Sequence, residues 1–247
     1  MPSQMEYCTK RRMAKSLIKT YDYHGWKVSA DDPMYQRFIS ENKNIIQEDQ
    51  NEVDKLIKKY LKQTRVALDI GCHYGFFTKF LSHKFNHVHA FDFDNDISEC
   101  FRQNMETHSI KNLTIHPYGL GEIEKSVATN DRLKHKGGQR GPLGNHVDTT
   151  GEDKNQKIKA LDILKIENID LMMIDTEGYE LNVLKGAEKT INKYKPMLII
   201  EFHHRNLTEK FGYSLKDLET YIKNLGYQPQ GSINKVDRVF VHQENLT

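Results

Sequence analysis

The stretch RVALDIGCHYGFFTKFL, Arg65 to Leu81, places an apolar run, a turn bounded by two glycines and an amphipathic segment in immediate succession. VALDI is built from side chains that favour a buried strand, and Phe76 to Lys84 has the spacing of a helix. Gly71 and Gly75 lack Cβ, so the backbone between them can turn tightly and approach a ligand closely. The helix that follows offers unpaired N–H groups and a positive dipole end to carboxylate or phosphate oxygens. A strand, turn and helix of this kind predict a ligand seat.

The same texture repeats outward from the turn. HVHAFDF, NLTIHPY, DLMMID and PMLIIEFH are strand-like, and residues 97–108, 179–194 and 215–225 between or after them are helical in pattern. The strands are apolar on both faces, as strands covered by helices on both sides should be. The tail GYQPQGSINKVDRVFVHQ has two strand candidates, near Tyr227 and over Arg238–His242, with no helix between them, which requires an antiparallel pair. The expected fold is therefore α/β: a doubly wound, mostly parallel seven-stranded sheet ending in an antiparallel C-terminal hairpin. Residues 9–21 and 33–62 have helical spacing, so the expected organisation is an N-terminal helical extension over 1–62 and a ligand-binding domain over 63–247. A polar, glycine-rich segment from Gly121 to Lys157, with Arg132, Lys134, Lys136 and Arg140, is expected to be a long loop overhanging the ligand.

Composition narrows the class. The chain has 247 residues, 28% of them charged, with a formal net charge of +2. Such a chain can bury a core without disulfides, and its near-neutral balance speaks against nucleic acid as a partner. Cys8, Cys72 and Cys100 have no metal-ligand spacing and, being odd in number, suit a reduced, cytoplasmic setting. No run approaches a membrane span, and the N-terminus lacks the apolar core of a signal peptide. The Asn-Leu-Thr triplets at Asn112, Asn206 and Asn245 are then chance matches.

The second strand ends at Asp92, about 20 residues after the glycines, where an acid can grip a ribose diol. A dinucleotide site needs G-x-G-x-x-G, so that pyrophosphate can nestle against a second glycine. Here Cys72, His73 and Tyr74 separate the glycines, and His73 stands where that second glycine should be. The pattern disfavours NAD and favours a nucleoside cofactor with an amino-acid tail. D-x-G-x-x-x-G resembles motif I of class I S-adenosylmethionine-dependent methyltransferases, whose sheet also ends in an inverted seventh strand.

IDLMMIDTEGYELNVLKGAEKTI sharpens the resemblance. It is similar to the K-I-D-x-E-G-x-E-x-x-x-L-x-G-A pattern of FkbM-type methyltransferases, matching at Asp175, Glu177, Gly178, Glu180, Leu184, Gly186 and Ala187. IKALDIL, KPMLIIEFH with Glu201 and His203, and Asn104 on the second helix also resemble that family, so the likeness runs from Val66 to His203. Two positions depart from it: Met173 replaces a lysine, and Asp92-Phe93 replaces Glu-Pro.

The resemblance implies an S-adenosylmethionine-dependent O-methyltransferase acting on a hydroxyl of a sugar or another small polar acceptor. The cofactor residues it implies are Asp69, Gly71, His73, Tyr74, Gly75 and Asp92, with Gly119 and Leu120 beside the adenine. A hydroxyl must lose its proton to attack, so a general base is required, and Asp175, Glu177 and His203 are the candidates, with Glu201 beside them. Acids at these positions also serve as helix caps, the reading favoured for Glu180. Asp175, Glu177 and His203 could ligate a metal, but no spacing requires one. An RNA or protein acceptor, or a catalytically silent binding module, is the alternative, and the missing lysine at Met173 encourages the last. The basic segment Lys10 to Lys19 could contact an anionic partner or simply cover the domain.

Overall fold

The computed structural model describes residues 19–30, 32–41, 46–93, 95–130, 146–148, 156–202 and 211–246. They begin with a hairpin of β1 (Thr20–Tyr23) and β2 (Trp26–Ser29), followed by helices α1 (Pro33–Ser40) and α2 (Ile46–Tyr60). The hairpin corrects the end of the helix expected over 9–21, at Thr20 and Tyr21; residues 9–18 lie outside the described residues. His24 and Gly25 both take left-handed φ, 50° and 84°, the geometry of a tight two-residue hairpin turn. The Asp22 carboxylate accepts the Gly25 N–H at 3.0 Å and secures it. The one helix expected over 33–62 is two, the first started by Asp32, whose carboxylate accepts the Tyr35 N–H at 3.3 Å, with Pro33 at the first helical position.

The α/β alternation follows: β3 (Val66–Ile70), α3 (Phe76–Ser82), β4 (His87–Phe91), α4 (Asn95–Thr107) and β5 (Leu113–His116). After β6 (Gly119–Leu120), β7 (Lys125–Asn130), β8 (His146–Asp148) and β9 (Gln156–Lys159) come β10 (Ile169–Ile174), α5 (Glu180–Lys185), α6 (Glu188–Tyr194) and β11 (Met197–Glu201). The chain closes with α7 (Leu215–Asn224), β12 (Tyr227–Ile233) and β13 (Asp237–His242).

The main sheet has seven strands in the order β12-β13-β11-β10-β3-β4-β5. The five strands from β11 to β5 are parallel, and β13 pairs antiparallel with both β11 and β12. The expected sheet and its inverted C-terminal hairpin are therefore present. Strand order reverses between β3 and β10, so the crevice of a doubly wound sheet opens above their carboxyl ends.

The segment expected as a long loop is partly sheet. Strands β6, β9, β7 and β8 form a second, four-stranded sheet in that order. Its strands are short and mostly polar; among the described side chains of β7 and β9, Val127 and Ile158 are buried beside the polar Gln156, too little apolar periodicity to register in the sequence. The basic residues Arg132, Lys134, Lys136 and Arg140 lie outside the described residues. The helix expected over 179–194 is broken at Gly186, where a Cβ would lie 1.9 Å from the Gly121 carbonyl oxygen. The small sheet is thereby locked against the main domain.

One face of the main sheet buries Leu68, Ile70, Met172, Ile174, Leu198 and Ile200 against α5, α6, α7 and the small sheet. On the other face, Tyr23, Trp26, Val28, Tyr35 and Phe38 of the N-terminal segment pack with Cys72, Tyr74, Phe76, Phe101 and Met105. The N-terminal residues thus complete the second layer over the glycine turn.

Candidate active site

Strand β3 delivers the turn Gly71–Gly75 to the crevice. Gly71 and Gly75 have φ of 89° and 88°, and His73 between them is also left-handed, at 48°. A Cβ on Gly71 would fall 1.7 Å from the Asp175 carbonyl oxygen, and one on Gly75 would fall 2.6 Å from the Met105 Cε. The glycines are therefore required first by packing: Gly71 lets β10 come up beside the turn, and Gly75 lets α4 pack beneath it.

Asp69 lies under the turn, buried, with its carboxylate accepting the Thr78 hydroxyl and the Thr78 backbone N–H. Helix α3 has Gly75 at its N-cap and no capping side chain of its own, so the strand aspartate supplies the missing cap. Burial pushes the Asp69 carboxyl up to about 6 despite these bonds. The Tyr74 side chain turns away from the crevice: its hydroxyl donates to Asp32 Oδ2 and accepts the Ser29 N–H, both at 3.1 Å. Only its backbone remains to face a ligand. Asn104, fully buried, accepts the Lys27 N–H at 2.7 Å and donates to the carbonyls of Lys27 and Tyr74, each at 3.0 Å. One amide thereby ties the hairpin, α4 and the turn together.

Asp92 follows β4 and is half-buried beside the turn, where its Oδ2 accepts the His73 N–H at 3.0 Å. Gly119 backs onto Phe93, whose Cδ1 lies 2.9 Å from the position of a Cβ there. Leu120 points into the core rather than the crevice.

Across the strand-order reversal stand the acids that follow β10 and end β11. Asp175 continues the β10–β3 ladder through its N–H to the Ile70 carbonyl at 2.9 Å. Asp175 is exposed as a residue, and its carboxyl lies within hydrogen-bonding reach of the Glu201 carboxyl. Burial and the Glu201 charge raise the Asp175 pKa; burial pushes Glu201 up to about 8, with the charges of Glu177, Glu180 and Asp237 adding to it. Two carboxyls this close cannot both ionise cheaply, so the pair retains a proton near neutral pH. Glu177 is left-handed at φ 56°, followed by Gly178 at 99°. Glu180 Oε1 accepts the Thr176 N–H and hydroxyl, both at 3.1 Å, and the Gly178 N–H at 3.0 Å. Glu180 thus organises the loop that carries the other acids, in keeping with its reading as a local cap. His203 lies outside the described residues.

A family model described as the methyltransferase FkbM domain matches residues 69–229. The chain belongs to the FkbM methyltransferase family. Among solved structures, the methyltransferase FkbM from Methylobacillus flagellatus superposes with a TM-score of 0.52 at 21% identity, covering 72% of this chain and 43% of that one. That likeness is one of fold. A SAM-dependent methyltransferase from Aquifex aeolicus aligns over 83% of this chain and 96% of its own, with a TM-score of 0.46 at 16% identity. A curated protein of Beauveria bassiana, Methyltransferase 1, is 24% identical over 143 residues, which are 49% of this chain and 57% of that protein. The chain therefore spans about half the length of the first relatives it matches.

S-adenosylmethionine is the cofactor that an FkbM methyltransferase implies, and the donor set fits it. Asp92 offers a carboxylate at the end of β4 for a ribose diol. Asp175, Glu177 and Glu201 form an acidic cluster across the strand-order reversal, a donor set that would suit a cationic cofactor. The structure brings Asp69, Gly71, His73, Gly75, Asp92 and Asp175 to one end of the sheet. The sequence reading did not anticipate Phe93 beside Gly119, the pairing of Asp175 with Glu201, or Tyr35 above the turn. Phe93 was visible as a departure from the family pattern, whereas the other two carry no local signal.

Proposed function

We propose that this FkbM-family chain transfers a methyl group from S-adenosylmethionine to a hydroxyl oxygen of a sugar or another small polar acceptor. The observation that carries the reading is the hydrogen-bonded Asp175–Glu201 pair at the mouth of the β3/β10 crevice. A neutral hydroxyl needs a proton acceptor, and a carboxyl pair held near neutrality can take that proton and keep it. The sulfonium cofactor supplies an activated methyl group, so the protein's part is to bind, orient and deprotonate. In this reading Asp92 holds the ribose hydroxyls and the His73 N–H holds Asp92 in place. Phe93, packed on Gly119, offers its ring to the base. Asp175, sharing its proton with Glu201, receives the acceptor proton, and Glu177 adds the charge that favours this. The acidic mouth suits an uncharged polyol better than the phosphate backbone of RNA. The same reading takes residues 63–247 as the catalytic domain and the N-terminal segment as its cover.

Calorimetry with S-adenosylhomocysteine and with NAD tests the cofactor, and binding of NAD alone would overturn it. Asp92→Ala should weaken S-adenosylhomocysteine by about 1–3 kcal/mol; an unchanged affinity removes Asp92 from the site. For the acceptor, labelled methyl transfer should be followed onto glycans, RNA and protein. Label in carbohydrate supports the proposal, and label confined to RNA or protein refutes it.

A further inference from the structure

Tyr35 comes from the N-terminal segment yet lies at the glycine turn. It is 5% exposed. Its ring is held edge-on by Tyr23 and Tyr74, at 5.3 and 5.2 Å, and lies nearly parallel to Phe76 at 5.6 Å and to His73 at 6.1 Å. Its N–H caps onto Asp32, but its phenolic hydroxyl forms no hydrogen bond among the described residues. The Tyr35 oxygen is not one of the fully buried atoms left without a partner, so it reaches open space at the turn, although aromatic hydroxyls in cores normally find a protein partner. The neighbouring Tyr74 does so twice, with Asp32 and Ser29. Tyr35 therefore has a donor to spare at the turn where the cofactor's amino-acid tail is proposed to sit.

That tail is a zwitterion, and the surroundings sort its two ends. Its ammonium is matched by the acids beyond β10. Its carboxylate is repelled by Asp175, Glu201 and Asp92 and needs neutral donors. Burial, then the charges of Asp32, Tyr23 and Asp175, push the Tyr35 phenol pKa up, so the hydroxyl stays protonated and can only be a neutral partner. We propose that Tyr35 donates its phenolic hydrogen bond to the carboxylate of the methyl donor's amino-acid tail, making the N-terminal segment part of the cofactor site. This inference rests on S-adenosylmethionine being the donor.

The test is a cycle between two proteins and two ligands: wild type and Tyr35→Phe, with S-adenosylhomocysteine and its decarboxylated analogue. Removing one oxygen leaves the ring packing intact, and the melting temperature without ligand should not fall. In the variant, S-adenosylhomocysteine should bind about tenfold weaker or more, while the decarboxylated analogue should change less than about twofold. Equal losses for both ligands, or no loss for either, would overturn the assignment of Tyr35. Wild type that binds neither ligand would overturn the cofactor reading instead, so the two failures are distinct.

Discussion

At Gly71 the backbone leaves no room for any side chain. A Cβ would sit 1.7 Å from the Asp175 carbonyl oxygen, and φ is 89°. Gly71→Ala should therefore destabilise the fold by more than about 4 kcal/mol, and a chemical denaturation midpoint close to wild type would refute the packing account. The Asp175–Glu201 pair makes a prediction about pH. The folded-state pKa of Glu201 is raised from 4.5 to about 8. Its contribution to stability is thus fully present below about pH 4.5 and is lost as pH rises through about 8. Wild type should lose more stability than Glu201→Gln between pH 5 and 9, measured by denaturant titration at each pH. If the pair is the base, kcat/KM should rise with pH over the same range, and Glu201→Gln should abolish or shift that rise. Parallel pH profiles for the two proteins would exclude the pair. That His73 and Asp92 lie together beside the glycine turn was legible because glycine spacing and strand ends are local. The pairing of Asp175 with Glu201 was not, because two adjacent parallel strands bring it about and neither strand encodes the other's register.

The β1–β2 hairpin shows how an element joins a site from a distance. Its main tether is Asn104 on α4, whose amide replaces two backbone partners of Lys27 and one of Tyr74. Asn104→Ala removes three hydrogen bonds of a fully buried amide, a loss of about 2–4 kcal/mol. It should also raise hydrogen exchange in residues 20–29 more than in β3 and β10. Equal protection in the variant and wild type would mean that aromatic packing alone holds the hairpin. The helical spacing of Ile46–Tyr60 was readable because the helix buries one stripe, whereas the hairpin went unread and its first two residues were taken into a helix. Four-residue strands offer two alternations at most, and Tyr21, half of β1's aromatic pair, is exposed. The small sheet escaped notice for the same reason.

For the whole molecule, ligand binding should register as stability. S-adenosylhomocysteine at about 100 times its Kd should add about 2.7 kcal/mol, raising Tm by about 5–10 °C for a chain of this size. NAD at the same concentration should leave Tm unchanged, and the reverse outcome would contradict the site. The parallel sheet with its inverted hairpin was foreseeable because apolar strands alternating with amphipathic helices have few unknotted, right-handed arrangements. The sequence by itself determined the strand–turn–helix seat, the parallel sheet with its inverted hairpin, and the preference for a nucleoside cofactor without pyrophosphate. These rest on periodicity and on glycine spacing, which act within a few residues. The tertiary structure alone decided that Gly71 yields to Asp175, that Asp175 meets Glu201, and that Tyr35 stands over the turn. Each joins residues that are remote in the chain, and only the order and register of the strands bring their side chains within reach.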